Sequence, residues 1–523
     1  MPGDGTEFDY IVCGAGASGS VLARRLADNP DIQVLLIEAG GNDQSELVQD
    51  PRRALGNLGS ERDWQYVMQP NAALAGRRLP LPAGKGLGGG TSINFMYWTR
   101  GHREDWDFFA AVSGEPAWNA ASIEYVFDRI EDRTEANAAS PSSGGMVPIT
   151  RDALSAPLLE AASTAFSENG SARYDDINGA LLHHPEGHGP RERNILRGRR
   201  ISAFEAYIRP RLGHAGNLHV VNDCFILRVN VENKQAVGVS VLIGNDVVEL
   251  RTRCETILCT GAMQTPKILM LSGIGPRREL EHHDIPVRHH LPGVGLGFQD
   301  HVLLQGCNWL SRPAADEEPT TGGIVGYAKS SASLAASDLQ FVFTGFMVAN
   351  DQIAARFGYP EGSYQYRQGW GISVGLLRPF SSGTVRLADA NPLSHPLIDP
   401  RMLSDPRDEQ ALLDGIALAR SIGNSVNLKP FAARELSPGD LSADGMKDFL
   451  RQAVGTYFHP SASARMGTDD LSVVDGKLKV HGLERLRIAD ASIMPRVPAA
   501  NTMAPSIAIG ELASDFVMAA HGR

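Results

Sequence analysis

The chain has 523 residues, of which 42% are hydrophobic and 21% charged, and its formal net charge is −11. This length exceeds the ~100–200 residues of an ordinary domain, so we expect at least two large domains. The composition is typical of a soluble globular protein, and the negative charge argues against a nucleic-acid partner, whose phosphates would repel it. The locally basic stretch 189–200 is expected to be a solvated loop or an ion-pairing surface.

The cysteines and the N-terminus indicate the cellular setting. The five cysteines are odd in number and contain no CxxC pair, so they predict neither a disulfide framework nor a metal site. No basic leader followed by an apolar segment opens the chain, and no later stretch offers ~18 uninterrupted apolar residues. We therefore expect a cytoplasmic protein without a membrane span.

The first predicted elements are a strand, a tight turn and a helix. The apolar run from Tyr10 ends in GAGASG at 14–19, and the helical pattern that follows ends near Asn29 and Pro30. A second strand follows at 33–40. This order predicts two parallel strands joined by a right-handed crossover.

The turn between these elements has the GxGxxG spacing of a dinucleotide-binding loop, in which a pyrophosphate can approach the helix N-terminus. Glu38 ends the second strand, where a carboxylate can accept hydrogen bonds from an adenosine ribose, which favours FAD or NAD over NADP. The alternative is a glycine turn that serves packing only. The predicted contacts are Gly14, Gly16, Ala17, Ser18, Gly19, Glu38 and Ala39.

The remaining elements are predicted less sharply. Apolar patterns favour strands at 217–231 and 247–258 and another that begins at Thr384. Helices are predicted at 408–422 and over the last fifteen residues, whereas Gly, Pro and Ser clusters predict loops at 139–145 and 378–383. The class is mixed α/β or α+β.

Four further segments carry a resemblance to a known family. They are GKGLGGGTSIN at 84–94, the segment 261–275, PGVGLGFQDH at 292–301, and the C-terminal segment 486–511. Together they resemble the signatures of the glucose-methanol-choline (GMC) oxidoreductases over nearly the whole chain. One departure is Gly297, which stands where the family more often has asparagine.

The resemblance implies an FAD cofactor and an α/β fold, with a Rossmann-type FAD-binding domain and an α+β substrate domain built on an antiparallel sheet. The FAD-binding domain would be discontinuous, formed by 1–150, 191–302 and 453–523. The substrate domain would comprise 151–190 and 303–452. Further predicted FAD contacts are Gly84, Gly89, Gly90, Thr91, Ser92, Asn94, Cys224, Asp490, Ala491, Asn501 and Thr502.

The same resemblance implies two catalytic residues. His459, in TYFHPSASARMG, stands where the family has its catalytic histidine, which accepts the alcohol proton while hydride leaves for the flavin. Asn501, in AANTMAP, stands where a second catalytic group holds the substrate oxygen. The competing interpretations are an ordinary structural histidine and an asparagine that forms a turn beside Pro498.

One position bears on how FAD is attached. Some family members have a histidine, bonded covalently to the flavin, at the position of Ile93. Isoleucine has no nucleophilic atom, so we expect non-covalent FAD. The helix predicted from Pro505 would point its positive end at the flavin.

These features predict oxidation of a small-molecule alcohol to an aldehyde, with oxygen or another electron acceptor. A primary alcohol on a small or aromatic ring is the preferred substrate. The alternatives are a hydroxynitrile lyase, a dehydrogenase that uses a quinone, and a non-catalytic flavin protein. The pocket residues within 303–452 are not predicted, although an aromatic wall or ordinary core is expected from Tyr97, Trp98, Phe341, Phe343 and Phe346.

Overall fold

The computed structural model describes residues 2–133, 144–214, 216–312, 322–359 and 365–522. Most of the loop predicted at 139–145 lies outside these ranges. Two seven-stranded sheets organise the described chain. The predicted α/β class with a second, antiparallel sheet is confirmed.

The first sheet contains the N-terminal strand at its centre. Glu7–Cys13 pairs in parallel with Val34–Ile37 on one side and with Asp246–Leu258 on the other. These central strands are apolar and almost fully buried, as expected for parallel strands covered on both faces. In spatial order the sheet comprises Leu218–Val221, Val34–Ile37, Glu7–Cys13, Asp246–Leu258, Gln235–Ile243 and Cys224–Glu232, and Leu486–Ile488 pairs with the end of Asp246–Leu258.

The crossover helix packs against the last helix of the described chain. Ala17–Leu26 follows the first strand directly, and Met503–Ala520 lies against it. The approach is close at Gly510, where a Cβ would meet the Ser18 carbonyl oxygen at 2.6 Å. The N- and C-terminal parts of the chain therefore build one dinucleotide-binding unit.

The helix Met503–Ala520 is long and apolar enough to cross a membrane by length and composition. However, 72% of it is buried inside the fold. Its apolar sequence is thus accounted for by packing in the protein core.

The second sheet is antiparallel and is covered on one face by helices. In order it comprises Ala432–Ser437, Val302–Ser311, Gly369–Leu376, Leu339–Thr344, Gly323–Ala328 and Gly187–Pro190, and Val454–Thr456 also pairs with Val302–Ser311. The covering helices are Pro157–Glu168, Pro406–Gly423 and Ala443–Ala453. Most strands fall within the predicted substrate segments, but Val454–Thr456 lies just inside the C-terminal segment predicted for the FAD domain.

Shorter elements connect these layers. The other helices are Glu46–Gln49, Gly90–Ile93, Arg103–Ser113, Ala120–Ile130, Ile177–Leu181, Gly261–Leu271, Arg277–His282 and Asp351–Phe357. Small ladders pair Tyr66–Val67 with Pro80–Leu81, Glu131–Asp132 with Val147–Pro148, Thr150–Arg151 with Glu192–Arg193, Ile195–Leu196 with Arg199–Arg200, Ile274–Gly275 with His289–His290, and Met347–Val348 with Gln365–Tyr366. A three-stranded ladder joins Leu296–Phe298, Gly383–Arg386 and Leu397–Asp399.

The structure adds detail to three predictions from the sequence. The region 217–231 contains two strands, Leu218–Val221 and the start of Cys224–Glu232, which are separated where Asp223 turns the chain with a φ of 53°. The C-terminal helix begins at Met503, two residues before Pro505. Of the two interpretations of the basic stretch 189–200, the solvated loop is wrong, since Arg191 and Arg200 are 9% and 3% exposed, whereas ion pairing is seen between Asp152 and both Arg191 and Arg193.

Candidate active site

One large cavity lies where the two sheets meet. Its volume is about 1330 Å³, and both the glycine turns of the first sheet and strands of the second line it. This volume exceeds the ~300–1,000 Å³ of an ordinary small-molecule pocket. The cavity can therefore hold a dinucleotide together with a substrate.

Most of the predicted cofactor residues line this cavity, although they come from distant parts of the sequence. They are Gly14, Gly16, Ala17, Ser18, Glu38, Ala39, Gly84, Gly89, Gly90, Thr91, Asn94, Asp490, Ala491, Asn501 and Thr502. Gly19, Ser92 and Cys224 do not line it.

Those three residues support the wall from behind. A Cβ at Gly19 would meet the Gly14 carbonyl oxygen at 1.9 Å, so this glycine allows the turn to pack on its helix. Ser92 donates its hydroxyl to the Leu87 carbonyl at 2.7 Å, within the loop itself. Cys224 is fully buried, and its neighbours Phe225 and Ile226 line the cavity instead.

Glu38 connects three separate backbone segments. Its Oε2 accepts a hydrogen bond from the Ala15 N–H, and its Oε1 accepts from the N–H groups of Gly40 and Gly86, each at 3.0 Å. Burial raises the pKa of this carboxyl, and these backbone donors oppose that shift. Glu38 also lines the cavity, so its carboxylate lies where an adenosine ribose is expected.

The glycine loop leaves room for a ligand at one position. Gly89 has a φ of +52°, and a Cβ there would meet the Gly16 Cα at 2.8 Å. A Cβ at Gly90 would meet no protein atom within 4 Å, although Gly90 lines the cavity. The two glycine turns thus press together and present open backbone to the cavity, as a dinucleotide requires.

Asp490 fixes the far side of the cofactor wall. Its Oδ2 accepts from the Gly261 N–H at 2.9 Å and from the Thr265 hydroxyl at 2.6 Å, while its Oδ1 accepts from the Ser492 N–H. Burial raises the pKa of this carboxyl. Asp490 therefore joins the C-terminal segment to the helix Gly261–Leu271.

An aromatic group that no sequence motif predicts lies at the Glu38 end of the cavity. Trp64 stacks on Tyr66 with ring centroids 5.9 Å apart, and Phe225 meets Trp64 edge-on. All three line the cavity, and the Lys85 ammonium lies over Trp64, next to Gly86. Flat aromatic faces suit an adenine ring. About 160 positions separate Trp64 from Phe225, so no local spacing could have indicated the group.

His459 and Asn501 lie together at the other end. The Asn501 Nδ2 is 3.3 Å from the His459 Nε2, and both side chains line the cavity. The Asn501 Oδ1 accepts from the Thr99 hydroxyl at 3.0 Å and from the Gln340 Nε2 at 3.3 Å. These two donors fix the orientation of the amide, so its N–H₂ group points at His459.

A second histidine completes this arrangement. The His301 Nδ1 lies 2.9 Å from the His459 Nδ1. Since Asn501 donates to Nε2, the proton of neutral His459 is on Nδ1 and is donated to His301. The His459 Nε2 thus keeps the lone pair of the ring, which can accept a substrate proton once a substrate hydroxyl takes the place of the Asn501 N–H.

Burial determines the charge of both histidines. It lowers the pKa of His459 well below the usual value, and the nearby His301 lowers it further. Burial also lowers the pKa of His301 to about 3. Both rings are therefore neutral at neutral pH, which a general base requires.

Asp300 holds the backbone that carries His459. Its Oδ1 accepts from the His459 N–H at 2.8 Å, and its Oδ2 accepts from the Thr456 hydroxyl. Burial raises the pKa of Asp300 to about 7. The adjacent Phe458 has a φ of 65°, so this carboxyl stabilises a turn that few side chains adopt.

The five aromatic residues singled out from the sequence divide into two groups. Tyr97 and Phe346 line the cavity. Trp98 is buried and donates to Glu131, while Phe341 and Phe343 pack in the core of the second sheet. The cavity wall also contains Tyr457, whose ring centroid is 4.7 Å from that of His459.

Comparisons of the sequence and of the structure with known proteins identify similar proteins of one kind. Residues 8–303 and 379–510 match the N- and C-terminal profiles described as GMC oxidoreductase. The chain is 35% identical to the oxygen-dependent choline dehydrogenase of Pseudomonas fluorescens (strain SBW25), over 98% of this chain and 94% of the relative. It is equally 35% identical to the same enzyme of Paraburkholderia xenovorans (strain LB400).

Solved structures resemble it over their whole length. Pyridoxine 4-oxidase from Mesorbium loti superposes with a TM-score of 0.90 and 28% identity, covering 99% of both chains. A formate oxidase superposes with a TM-score of 0.87 and 25% identity, covering 100% of both. With the glycine turns, Glu38 and the cavity, these matches show that the chain belongs to the GMC oxidoreductase family, binds FAD and oxidises alcohols.

Proposed function

We propose that this protein oxidises a primary alcohol to the aldehyde, with His459 as the base that takes the hydroxyl proton. The observation that carries this proposal is the pair formed by His459 and Asn501, 3.3 Å apart in the cavity that the FAD-binding turns line. When bound, FAD supplies the acceptor for the hydride that leaves the carbinol carbon. The residues of the chain orient the substrate oxygen and accept its proton.

Each of these residues has a separate task. The Asn501 amide donates a hydrogen bond to the substrate oxygen and fixes its position. The His459 Nε2 accepts the hydroxyl proton, and its Nδ1–H stays bonded to His301 at 2.9 Å. The positive charge that forms on His459 is thereby shared across a hydrogen bond in a buried site.

Anaerobic mixing of the yellow protein with primary alcohols tests this function. Oxidation requires that the flavin absorbance bleaches while aldehyde accumulates in equal amount. A hydroxynitrile lyase would cleave a cyanohydrin without bleaching, and a non-catalytic flavin protein would do neither. If the flavin of His459→Ala bleaches as fast as that of the wild-type protein, the base is another residue.

The proposed substrate is a primary alcohol on a small or aromatic ring. Similarity to pyridoxine 4-oxidase supports this choice, as do Tyr97, Tyr457 and Phe346 in the cavity wall. A choline-like alcohol is the second candidate, because relatives 35% identical are named choline dehydrogenases. Aromatic faces also attract quaternary ammonium groups, so these rings alone do not separate the two.

Molecular oxygen is the proposed electron acceptor. Two kinds of similarity support this acceptor. The relative from Pseudomonas fluorescens is named an oxygen-dependent dehydrogenase, and the two similar solved structures are named oxidases. Adding air to the bleached protein should restore the yellow colour within seconds. Recovery only on addition of a quinone would identify a dehydrogenase.

FAD is proposed to be held without a covalent bond. Ile93 lines the cavity and is 5% exposed, so its unreactive side chain faces the ligand space. Acid precipitation should leave the flavin in the supernatant. A yellow, fluorescent pellet would show that another side chain is linked to the ring.

A further inference from the structure

One buried cation lies behind the cofactor wall without a partner of opposite charge. Arg200, at the end of the ladder of Ile195–Leu196 with Arg199–Arg200, is buried, and no carboxylate among the described residues pairs with it. Burial lowers the pKa of its guanidinium to about 9, so the group stays charged at neutral pH. Proteins rarely bury an arginine without a counter-charge, because taking the charge out of water is costly.

The guanidinium is held only by oxygens that carry no formal charge. Its Nε donates to the Val48 carbonyl at 2.7 Å, and its Nη1 donates to the Thr91 carbonyl at 3.2 Å and to the Asn94 Oδ1 at 2.7 Å. The buried Nη2 has no hydrogen-bond partner among the described residues. These contacts fix the position of the positive charge but do not neutralise it.

The charge lies directly behind the glycine loop that faces the cofactor. Thr91 and Asn94 both line the cavity, whereas Arg200 does not. Only these two residues of the loop therefore separate the guanidinium from the ligand space at this point. Because Arg200 is buried, solvent and salt screen its charge weakly, and its field extends into the cavity.

Asn94 lies near the reacting end of the cavity. Its Nδ2 donates to the Sδ of Met503 at 3.1 Å, and the next residue, Phe95, packs against Phe458 with ring centroids 6.3 Å apart. Met503 and Phe458 line the cavity, and Phe458 directly precedes His459. A hydride acceptor must come close to an alcohol that meets His459. The redox-active ring of FAD is therefore expected beside Asn94.

We propose that the buried charge of Arg200 raises the reduction potential of the bound FAD and thereby favours oxidation of the alcohol. Hydride transfer breaks the carbinol C–H bond and brings two electrons and one negative charge to the cofactor. A fixed positive charge nearby stabilises that added negative charge. Arg200 acts through Asn94, so it is a positioning residue rather than a catalytic one. The inference rests on FAD binding and holds for any alcohol substrate.

A purely structural role is the competing explanation. The three hydrogen bonds of Arg200 join the short helix Glu46–Gln49 to the loop 84–94 and could serve only to hold them together. The two roles differ in what they need from the side chain. A structural clamp needs the fork of donors, whereas an effect on the potential needs only the charge.

The reduction potential of the FAD-loaded protein tests the proposal. Xanthine and xanthine oxidase reduce the flavin slowly beside a reference dye, so no alcohol takes part. In Arg200→Gln the equilibrium constant for two-electron reduction should fall about tenfold or more, which corresponds to about 30 mV or more. In Arg200→Lys the constant should stay within about threefold of wild type, because the ammonium group keeps the charge.

Arg199→Gln is the matched control. It removes the same charge from the adjacent residue, whose side chain is exposed, so solvent screening should leave the potential unchanged. An unchanged potential in Arg200→Gln, or an equal fall in Arg199→Gln, would overturn the proposal. A fall in Arg200→Lys as large as that in Arg200→Gln would show that the fork of donors matters rather than the charge, and would also overturn it.

Folding and cofactor content complete the test. If Arg200→Gln unfolds at a lower temperature but keeps the wild-type potential, Arg200 is a structural clamp and the proposal fails. Loss of folding or of FAD in both Arg200→Gln and Arg200→Met would lead to the same conclusion. If the potentials change as expected but no alcohol bleaches the flavin, this inference stands and the proposed oxidation fails.

Discussion

The two ends of the cavity are built in different ways. The cofactor end is formed mainly by backbone: Gly16 and Gly89 pack together, Gly14 and Gly90 line the cavity, and Glu38 joins the two glycine turns. The substrate end is formed by side chains from widely separated segments, among them Tyr97, Arg191, Tyr457 and His459. Backbone contacts require glycine at fixed spacing, whereas side-chain contacts leave no spacing to recognise.

Removal of the base should give the largest effect at the substrate end. His459→Ala should slow flavin reduction by ~10²–10⁴-fold and leave FAD bound, as expected for loss of a general base. Stopped-flow absorbance measures this rate. His219→Ala, an exposed histidine that contacts Gln33, is the control and should reduce at the wild-type rate. Loss of FAD from His459→Ala would show that a change at the substrate end of the cavity also alters cofactor binding.

At the cofactor end, two neighbouring glycines should respond differently. Gly90→Ala places a methyl group in open cavity, so we expect unchanged folding but FAD binding weakened about tenfold to a hundredfold by steric overlap. Gly89→Ala strains a backbone with a φ of +52° and meets Gly16, so it should also lower the unfolding temperature. FAD content and thermal unfolding measure the two effects. Full FAD occupancy in Gly90→Ala would argue against this wall as the cofactor site.

His301 should act only through His459. His301→Leu should slow flavin reduction about tenfold, because His459 loses the acceptor that keeps its proton on Nδ1. His301→Asn places a carbonyl oxygen near the lost Nδ1 and should restore most of the rate. The midpoint of the pH profile should shift in the Leu variant and return in the Asn variant. Equal rates in all three proteins would show that the contact has no role in catalysis.

The smallest expected effect is that of pH. Burial lowers the pKa of His459 below the usual value of about 6.5, so the neutral base predominates at and above that pH. With uncharged benzyl alcohol, ionisation of His459 should change the rate of flavin reduction less than about twofold between pH 6.5 and 8.5, so any step near pH 7 belongs to Asp300, whose pKa burial raises to about 7. A half-maximal rate near pH 6.5 that persists in Asp300→Asn would indicate a base exposed to solvent.

Local spacing explains which parts could be predicted. GAGASG and Glu38 follow each other within one strand–helix–strand unit, and the structure contains that unit as Glu7–Cys13, Ala17–Leu26 and Val34–Ile37. Ser92 and Cys224 lie behind the cavity wall, which the sequence could not show because a motif gives the position of a residue but not the direction of its side chain.

Long-range contacts explain what could not be predicted. His301 and His459 are 158 residues apart, and only the pairing of strands in the second sheet brings them within 2.9 Å. Arg191 and Arg193 belong to a stretch whose charge predicts a solvated loop or an ion-pairing surface. The sequence does not show which, because it does not show that Asp152 and Tyr97 will cover these side chains. Net charge in a short window indicates solvent exposure only when no buried partner exists elsewhere.

The contact between the first and last helices has a consequence for biosynthesis. Ser18 donates to the Ser506 carbonyl and Arg25 pairs with Glu511, so the helix Ala17–Leu26 finds its partner 486 to 488 positions later. At translation rates of ~5–20 residues per second, roughly 25–100 s pass between the synthesis of the two helices. During that interval the nascent first helix has an uncovered apolar face. FAD can therefore be captured in the complete site only after the helix Met503–Ala520 has been synthesised, and a chaperone that shields this face would raise the yield of loaded enzyme.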